Sequence, residues 1–221
     1  MTFSRNVGIL APSLLLAGCV STNPHLPERT AEGLTRIEAK RADTVYAARG
    51  MTLAPYRRVM LDPVEIAFRH DWQTRHPEVT PQELARVRAE AAVLFREVFA
   101  RELGEKGGYA LSSETAADVL RVTASVVDLD ISTPQADASA SDRTYLLSPG
   151  EMKLVAELRD AQSGALLVRA VDRDRGRDSG DLRIVNHLTE SAEVQKAFAM
   201  WAGLLRNALD AAKQPTPPSS Q

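Results

Sequence analysis

The sequence predicts an α+β fold: a single domain in which a mixed, mainly antiparallel sheet carries two long helices packed on one face. Three observations predict it. Stretches following Thr80 and Ser191 repeat apolar residues at three- and four-residue steps, the period of a helix with one buried stripe. Several other segments alternate apolar and polar residues at a period of two, as strands do. The order is strand, long helix, several strands, long helix, and helices layered on one side of a sheet let each element bury its single apolar face. With 221 residues, 44% hydrophobic and 25% charged, the chain suffices for one such core plus appendages.

The elements follow in order. Arg58-Val-Met-Leu-Asp-Pro-Val-Glu-Ile-Ala-Phe68 is rich in β-formers and makes the first strand. Pro63 cannot donate a ladder hydrogen bond, so it marks an edge or a bulge. Thr80-Pro81-Gln82-Glu83 starts a helix: Thr80 caps, Pro81 suits the first helical position and Glu83 completes a capping box. Leu84, Val87, Ala91, Leu94, Phe95 and Val98 form its stripe, and it runs to about Leu103, where Gly104, Gly107 and Gly108 end it and begin a turn.

In residues 119–127, Leu120, Val122, Ala124 and Val126 share a face opposite Val119, Arg121, Thr123, Ser125 and Val127, which predicts a central strand. Residues 152–159 alternate in the same way, and 166–172 form a further short strand. Asp160-Ala-Gln-Ser-Gly164 between them makes an antiparallel hairpin, with Gly164 placed for a positive backbone angle. The polar stretch 133–148 is a loop with a short strand near 145–147. Thr189 or Ser191 opens the closing helix; Val194, Phe198, Trp201, Leu205, Ala208 and Leu209 form its buried stripe, with Glu193, Lys196, Arg206 and Asp210 mostly outside it.

The N-terminus has three zones: a polar start with Arg5, an apolar stretch over residues 7–16, and Ala17-Gly18 before Cys19. That is the layout of an export signal. The stretch is broken by Pro12 and falls well short of the about 20 apolar residues that span a bilayer. Leu16-Ala17-Gly18-Cys19 resembles the lipobox of bacterial lipoprotein precursors. The resemblance implies cleavage before Cys19, a diacylglyceryl group on its thiol and often an acylated amino group. Each buried methylene contributes roughly 0.8 kcal/mol, so two or three chains hold a protein at a membrane. A lone cysteine is often simply a buried apolar residue; the position, the flanking residues and the polar chain that follows oppose that here. Val20 stands where Asp would retain an enteric lipoprotein in the inner membrane, which implies an outer-membrane anchor facing the periplasm. The expected organisation is 1–18 signal peptide, 19–54 lipidated cysteine and polar tether with one short helix near 31–49, 55–212 domain, and 213–221 disordered tail rich in proline.

Charge and cysteine content exclude several functions. Lys and Arg number 27 against 29 Asp and Glu, a net charge of -2, so no basic field gathers nucleic acid. A single cysteine excludes an internal disulfide and a cysteine-built zinc site.

The sharpest polar cluster is His70, Asp71, Trp72 and His76. Imidazole and carboxylate suit acid/base work or a metal, but the spacing matches no metal-ligand template, and a polar surface loop with Trp72 packed on the domain edge is the better reading. Asp172-Arg-Asp-Arg-Gly-Arg-Asp178 offers Arg173, Arg175 and Arg177 to an anionic polymer, although the acids between them neutralise most of that field. Asp128 and Asp130 lie two apart at a strand end, a spacing that suits a carboxylate pair but also ordinary strand-end acids. There is no Gly-x-Ser-x-Gly elbow and no phosphate-binding glycine loop.

Tyr56-Arg-Arg-Val-Met-Leu-Asp-Pro-Val64 with Trp72 downstream, Leu158-Arg-Asp-Ala-Gln-Ser-Gly164 followed by Asp172-Arg-Asp-Arg-Gly176, and Phe198-Ala-Met-Trp201 ending in Leu209-Asp210 together resemble the lipoproteins gathered as domain of unknown function 3313. The resemblance covers residues 50–212 and the lipobox; it implies place and architecture and carries no catalytic residue. The element order also looks like the small α/β domain of periplasmic lipoproteins that assist envelope machines, including activators of cell-wall synthases, a likeness of fold alone.

The functional expectation is a lipid-anchored periplasmic protein without enzymatic activity, cofactor or metal, whose domain binds an envelope protein or peptidoglycan. The alternative is an envelope glycan or peptide hydrolase using Asp128 or the His70 cluster. A third reading is carriage of a small ligand in an apolar cavity, which a well-packed core would exclude.

Overall fold

The computed structural model describes residues 26–39, 41–129, 131–132, 146–147, 152–174 and 192–214. The signal at 1–18, Cys19, Asp130, Arg175, Arg177, most of the 133–148 loop, the helix-opening Thr189 and Ser191, and the tail after 214 lie outside the described residues.

The strands are β1 (Thr35–Ile37), β2 (Thr44–Ala47), β3 (Arg58–Leu61), β4 (Glu65–Phe68), β5 (Ala110–Leu111), β6 (Val119–Leu129), β9 (Met152–Asp160) and β10 (Leu166–Asp174). They form one sheet in the order β1-β2-β10-β9-β6-β3-β5, with β4 following β3 alongside β6. β7 (Ile131–Ser132) and β8 (Leu146–Leu147) make a separate two-stranded ladder, which accounts for the short strand expected near 145–147. Antiparallel pairing joins β1, β2, β10, β9 and β6, whereas β3 and β4 run parallel to β6. Parallel neighbours need a crossover, and the helix α2 (Pro81–Ala100) supplies it. A four-residue helix, α1 (Trp72–Arg75), precedes α2, and α3 (Ala192–Lys213) closes the fold.

Pro63 does what its chemistry requires. Leu61 stands opposite Val122 and Glu65 opposite Ser125, four steps along one strand against three along the other, and the proline occupies the break. β6 is central as expected, with Leu120, Val122, Ala124 and Val126 buried. Asp160 to Gly164 makes the β9–β10 turn, with Gly164 at φ 74°. The α2 capping box is complete: Glu83 N–H donates to Thr80 Oγ1 at 3.2 Å and Thr80 N–H to Glu83 Oε2 at 2.8 Å. All six residues of its expected stripe are buried.

Beyond Ala100 the helix widens into one π-helical turn, Arg101–Glu105. There Glu102, 5% exposed, receives Lys106 and, at 3.0 Å, Arg206 of α3. Gly108, at φ 69°, turns the chain so that Tyr109 N–H donates to Leu103 C=O at 2.9 Å.

The tether expectation is corrected for residues 26–54. Where a short helix was expected over 31–49, the chain forms β1 and β2, and β2 pairs with β10 from Thr44 opposite Val171 to Ala47 opposite Val168. Leu34, Tyr46, Ala47 and Leu53 are buried, so the folded domain begins well before residue 55. The cause is nonlocal: Thr-Val-Tyr-Ala has the β-branched and aromatic content of a strand, and the free edge of β10 gives it a ladder to join.

Both long helices lie on one sheet face, where Phe95 of α2 meets Phe198 of α3 edge-on at 5.2 Å. The opposite face is polar. There Arg169 joins Glu32 and Glu157, Arg159 joins Glu157, and Arg121 joins Asp62. The stripe of α3 is partly corrected: Val194, Phe198, Trp201 and Leu209 are buried, along with Ala197 and Ala202, but Leu205 is half-buried and Ala208 is exposed. Leu205 and Ala208 look into an open cleft.

Candidate functional site: an apolar cleft between sheet and helix

The cleft follows from the register of four strands. Across the helix-bearing face, Val122, Leu158, Val168 and Ala47 form one row of neighbours. The next row is Ala124, Ala156, Ala170 and Val45. The row after it brings together Val126, Leu154 and Asp172. Three adjacent alanines thus lie between rows of larger side chains. A methyl group reaches too little to meet a helix seated about 10 Å above the sheet, so the layers separate over this row.

The result is a cleft of about 240 Å³. The alanine row is its floor, Trp201, Leu204, Leu205 and Ala208 of α3 with Phe99 of α2 form its roof, and Ala39, Arg41 and Ala42 of the β1–β2 connection close one side. An engineered apolar cavity of about 150 Å³ stays dry and takes up benzene, so this space has room for a larger apolar group.

One end is polar and tightly organised. Asp172, 7% exposed, accepts the Trp201 indole N–H at 2.9 Å and the Asp43 backbone N–H at 3.0 Å. The Asp43 carboxylate in turn accepts the Arg173 backbone N–H at 3.3 Å. These bonds fix the indole plane at the wall of the cleft and anchor the β1–β2 connection to β10. Outside lies a wider polar depression of about 760 Å³, lined by Arg41, Asp43, Glu102, Arg206 and Asn207, which shares Arg41, Ala42 and Leu204 with the cleft.

The residues singled out in the sequence are dispersed and do not meet at this site. His70 is exposed, and Asp71 is engaged by Arg69 at 3.0 Å and Arg75 at 3.3 Å. The Arg69 guanidinium, helped by Arg75, holds the Asp71 carboxyl down at about 2. Trp72 is fully buried, stacked on His76 at 4.6 Å and tilted against Phe68 at 5.0 Å, so it packs in the core more deeply than an edge position implies. His76 Nδ1 lies 3.2 Å from Glu78. Asp128 sits in a bulge of β6 at φ 59° and receives Lys153 at 2.6 Å. Arg173 lies next to the last residue of β10 with its side chain exposed. Among the described residues, no three His, Cys, Asp or Glu side chains gather in a metal-binding arrangement. Nor is any described helix long and apolar enough to cross a membrane.

The residues that build the cleft escaped the sequence reading. Ala124 and Ala156 stood out only as members of alternating strands, and Asp172 as the start of a charged loop. A signal was present, since three separate strands each place an alanine on an otherwise large apolar face; only the register reveals that they adjoin.

Fold and site together define a class: a one-sided α+β domain whose helix layer stands off the sheet over a floor of small side chains. Residues 29–205 match the family described as Protein of unknown function (DUF3313), and the chain belongs to that family. The match begins at residue 29, in line with β1 and β2 being part of the domain. Among curated proteins no significant match is found. Among solved structures the chain is similar to a PelC dodecamer from Paraburkholderia phytofirmans, with TM-score 0.37 and 16% identity, covering 75% of this chain and 96% of that one. A single-substitution PelC dodecamer from the same organism gives TM-score 0.34 and 15% identity, with 75% and 95% covered. Likeness at that level says nothing of activity or assembly.

Proposed function

We propose that this protein is a lipid-anchored binding protein of the bacterial envelope, without catalytic activity, that holds an apolar guest in the cleft between α3 and the sheet. The cleft carries the reading. A site for peptidoglycan would present polar groups and exposed aromatic faces to a sugar polymer, whereas this one has a floor of alanines and a roof of Trp201, Leu204 and Leu205. Of the acids considered for hydrolysis that are among the described residues, Asp71 has Arg69 and Arg75 on it, and Asp128 has Lys153. The lipobox-like Leu16-Ala17-Gly18-Cys19 supports the anchor, and Val20 supports the outer membrane with the domain facing the periplasm.

Two experiments test this. Fluorescence titration with N-phenylnaphthylamine should show saturable binding near one site per chain. Ala156→Leu with Ala170→Leu fills the floor and should abolish the binding while leaving the circular dichroism spectrum intact. Probe binding that ignores the filled floor would sink the guest reading. For the anchor, Cys19→Ser should remove palmitate labelling and release the protein from the membrane fraction; unchanged labelling would refute it.

A further inference from the structure

The cleft and the polar depression beside it adjoin, sharing Arg41, Ala42 and Leu204 in their linings, and together they have the chemistry of a site for one kind of molecule. We propose that they bind a single-chain fatty carboxylate, its alkyl tail over the alanine row and its head group at Arg41. This rests on the guest reading above and names the guest.

The tail follows from volume and lining. At a liquid share of about 30 Å³ per heavy atom, the figure for water, the cleft accommodates on the order of eight atoms. That is a medium alkyl chain, too little for the paired tails of a phospholipid. Of the lining side chains only Arg41 and Asp172 are charged, and Asp172 is already occupied by the Trp201 indole and the Asp43 amide.

The head follows from accounting for the charges around the mouth. Glu102 holds both Lys106 and Arg206, so each of those two cations already has a carboxylate partner, although the trio keeps one net positive charge. The Asp43 carboxylate accepts the Arg173 amide. Arg41 lines both the cleft and the depression, is exposed, and has no hydrogen-bond or ion-pair partner among the described residues. A guanidinium offers a planar fork of donors that matches a carboxylate in two-point contact. Asp43 and Asp172 stand nearby and disfavour a dianionic head, which selects a single negative charge over a phosphate monoester.

The test uses the chain from residue 19 onward carrying Cys19→Ser, because a lipidated protein would need detergent, itself an amphiphile. Displacement of N-phenylnaphthylamine is measured with hexanoate, octanoate and decanoate, and with 1-decanol and decylamine. Affinity should rise about fourfold for each methylene added within the cleft. Decanoate should bind about tenfold more tightly than 1-decanol, and Arg41→Gln should erase that preference while leaving 1-decanol unchanged. Equal binding of acid and alcohol, tighter binding of decylamine, or a preference that survives Arg41→Gln would overturn the head assignment and leave an apolar guest site standing. Absence of any probe binding would remove both readings.

Discussion

At the scale of single residues, two positions bear more than their neighbours. Trp201 reads in the sequence as one more apolar member of a helical stripe, and burial bears that out. Its partner Asp172, 29 residues earlier, does not show in any local pattern. Trp201→Phe keeps the packing but removes a donor from a buried carboxylate, so a loss of about 1–3 kcal/mol is expected in denaturant unfolding. Preserved stability would mean that the remaining partners of Asp172, the Asp43 amide among them, satisfy that acid. Gly107 is the second. A β-carbon there would stand 2.7 Å from Leu103 O and 2.9 Å from Tyr109 Cδ2, because the π-helical turn folds back against the next strand. Gly107→Ala should therefore cost about 1–3 kcal/mol and lower Tm by several degrees, whereas the same change at Gly104, whose nearest contact would be 3.8 Å away, should be mild.

At the scale of elements, the local signals were strong where the chemistry is local. Thr80 and Glu83 sit three apart and make the reciprocal cap that the spacing requires. Thr80→Ala should cost about 1 kcal/mol, read from thermal or denaturant unfolding. The hairpin leading into β1 depends on a distant partner instead. Arg169 on β10 hydrogen-bonds Glu32 and holds its carboxyl at about 2, against an ordinary 4.5. Because the folded-state value is depressed, this tie contributes fully above the ordinary value and is lost as pH falls towards 2. Amide exchange of residues 30–37 should accelerate over that interval, and the acceleration should vanish in Glu32→Gln. The pair is exposed and the effect on overall stability should be small. A flat exchange profile would show that the β1–β2 ladder needs no such tie.

At the scale of the whole molecule, the decisive fact is that residues 26–54 complete the sheet. β2 covers the edge of β10, and the β1–β2 connection supplies one wall of the cleft. A chain beginning at residue 55 should expose a long unpaired β10 and lose that wall. It should aggregate or be cut rapidly by protease, and should fail to bind an apolar probe. A soluble, protease-resistant and probe-binding product would return those residues to the role of a leash. The polar outer face, with Arg121, Glu157 and Arg169 tied in ion pairs, leaves the helix side as the place where an apolar ligand can be held.

The sequence by itself determined the α+β class, the two long helices and the capping box of the first, the central strand, the hairpin and the break at Pro63. All of these depend on side chains a few residues apart, where periodicity and turn chemistry act directly. Only the tertiary structure decided that Thr35–Ile37 and Thr44–Ala47 are strands, that Trp201 leans on Asp172, and that Val45, Ala124, Ala156 and Ala170 lie in one row beneath α3. Those outcomes rest on register and on the distance between layers. A one-residue change of register would turn each alanine to the opposite face, so the cleft is a property of the assembled sheet and of no single segment.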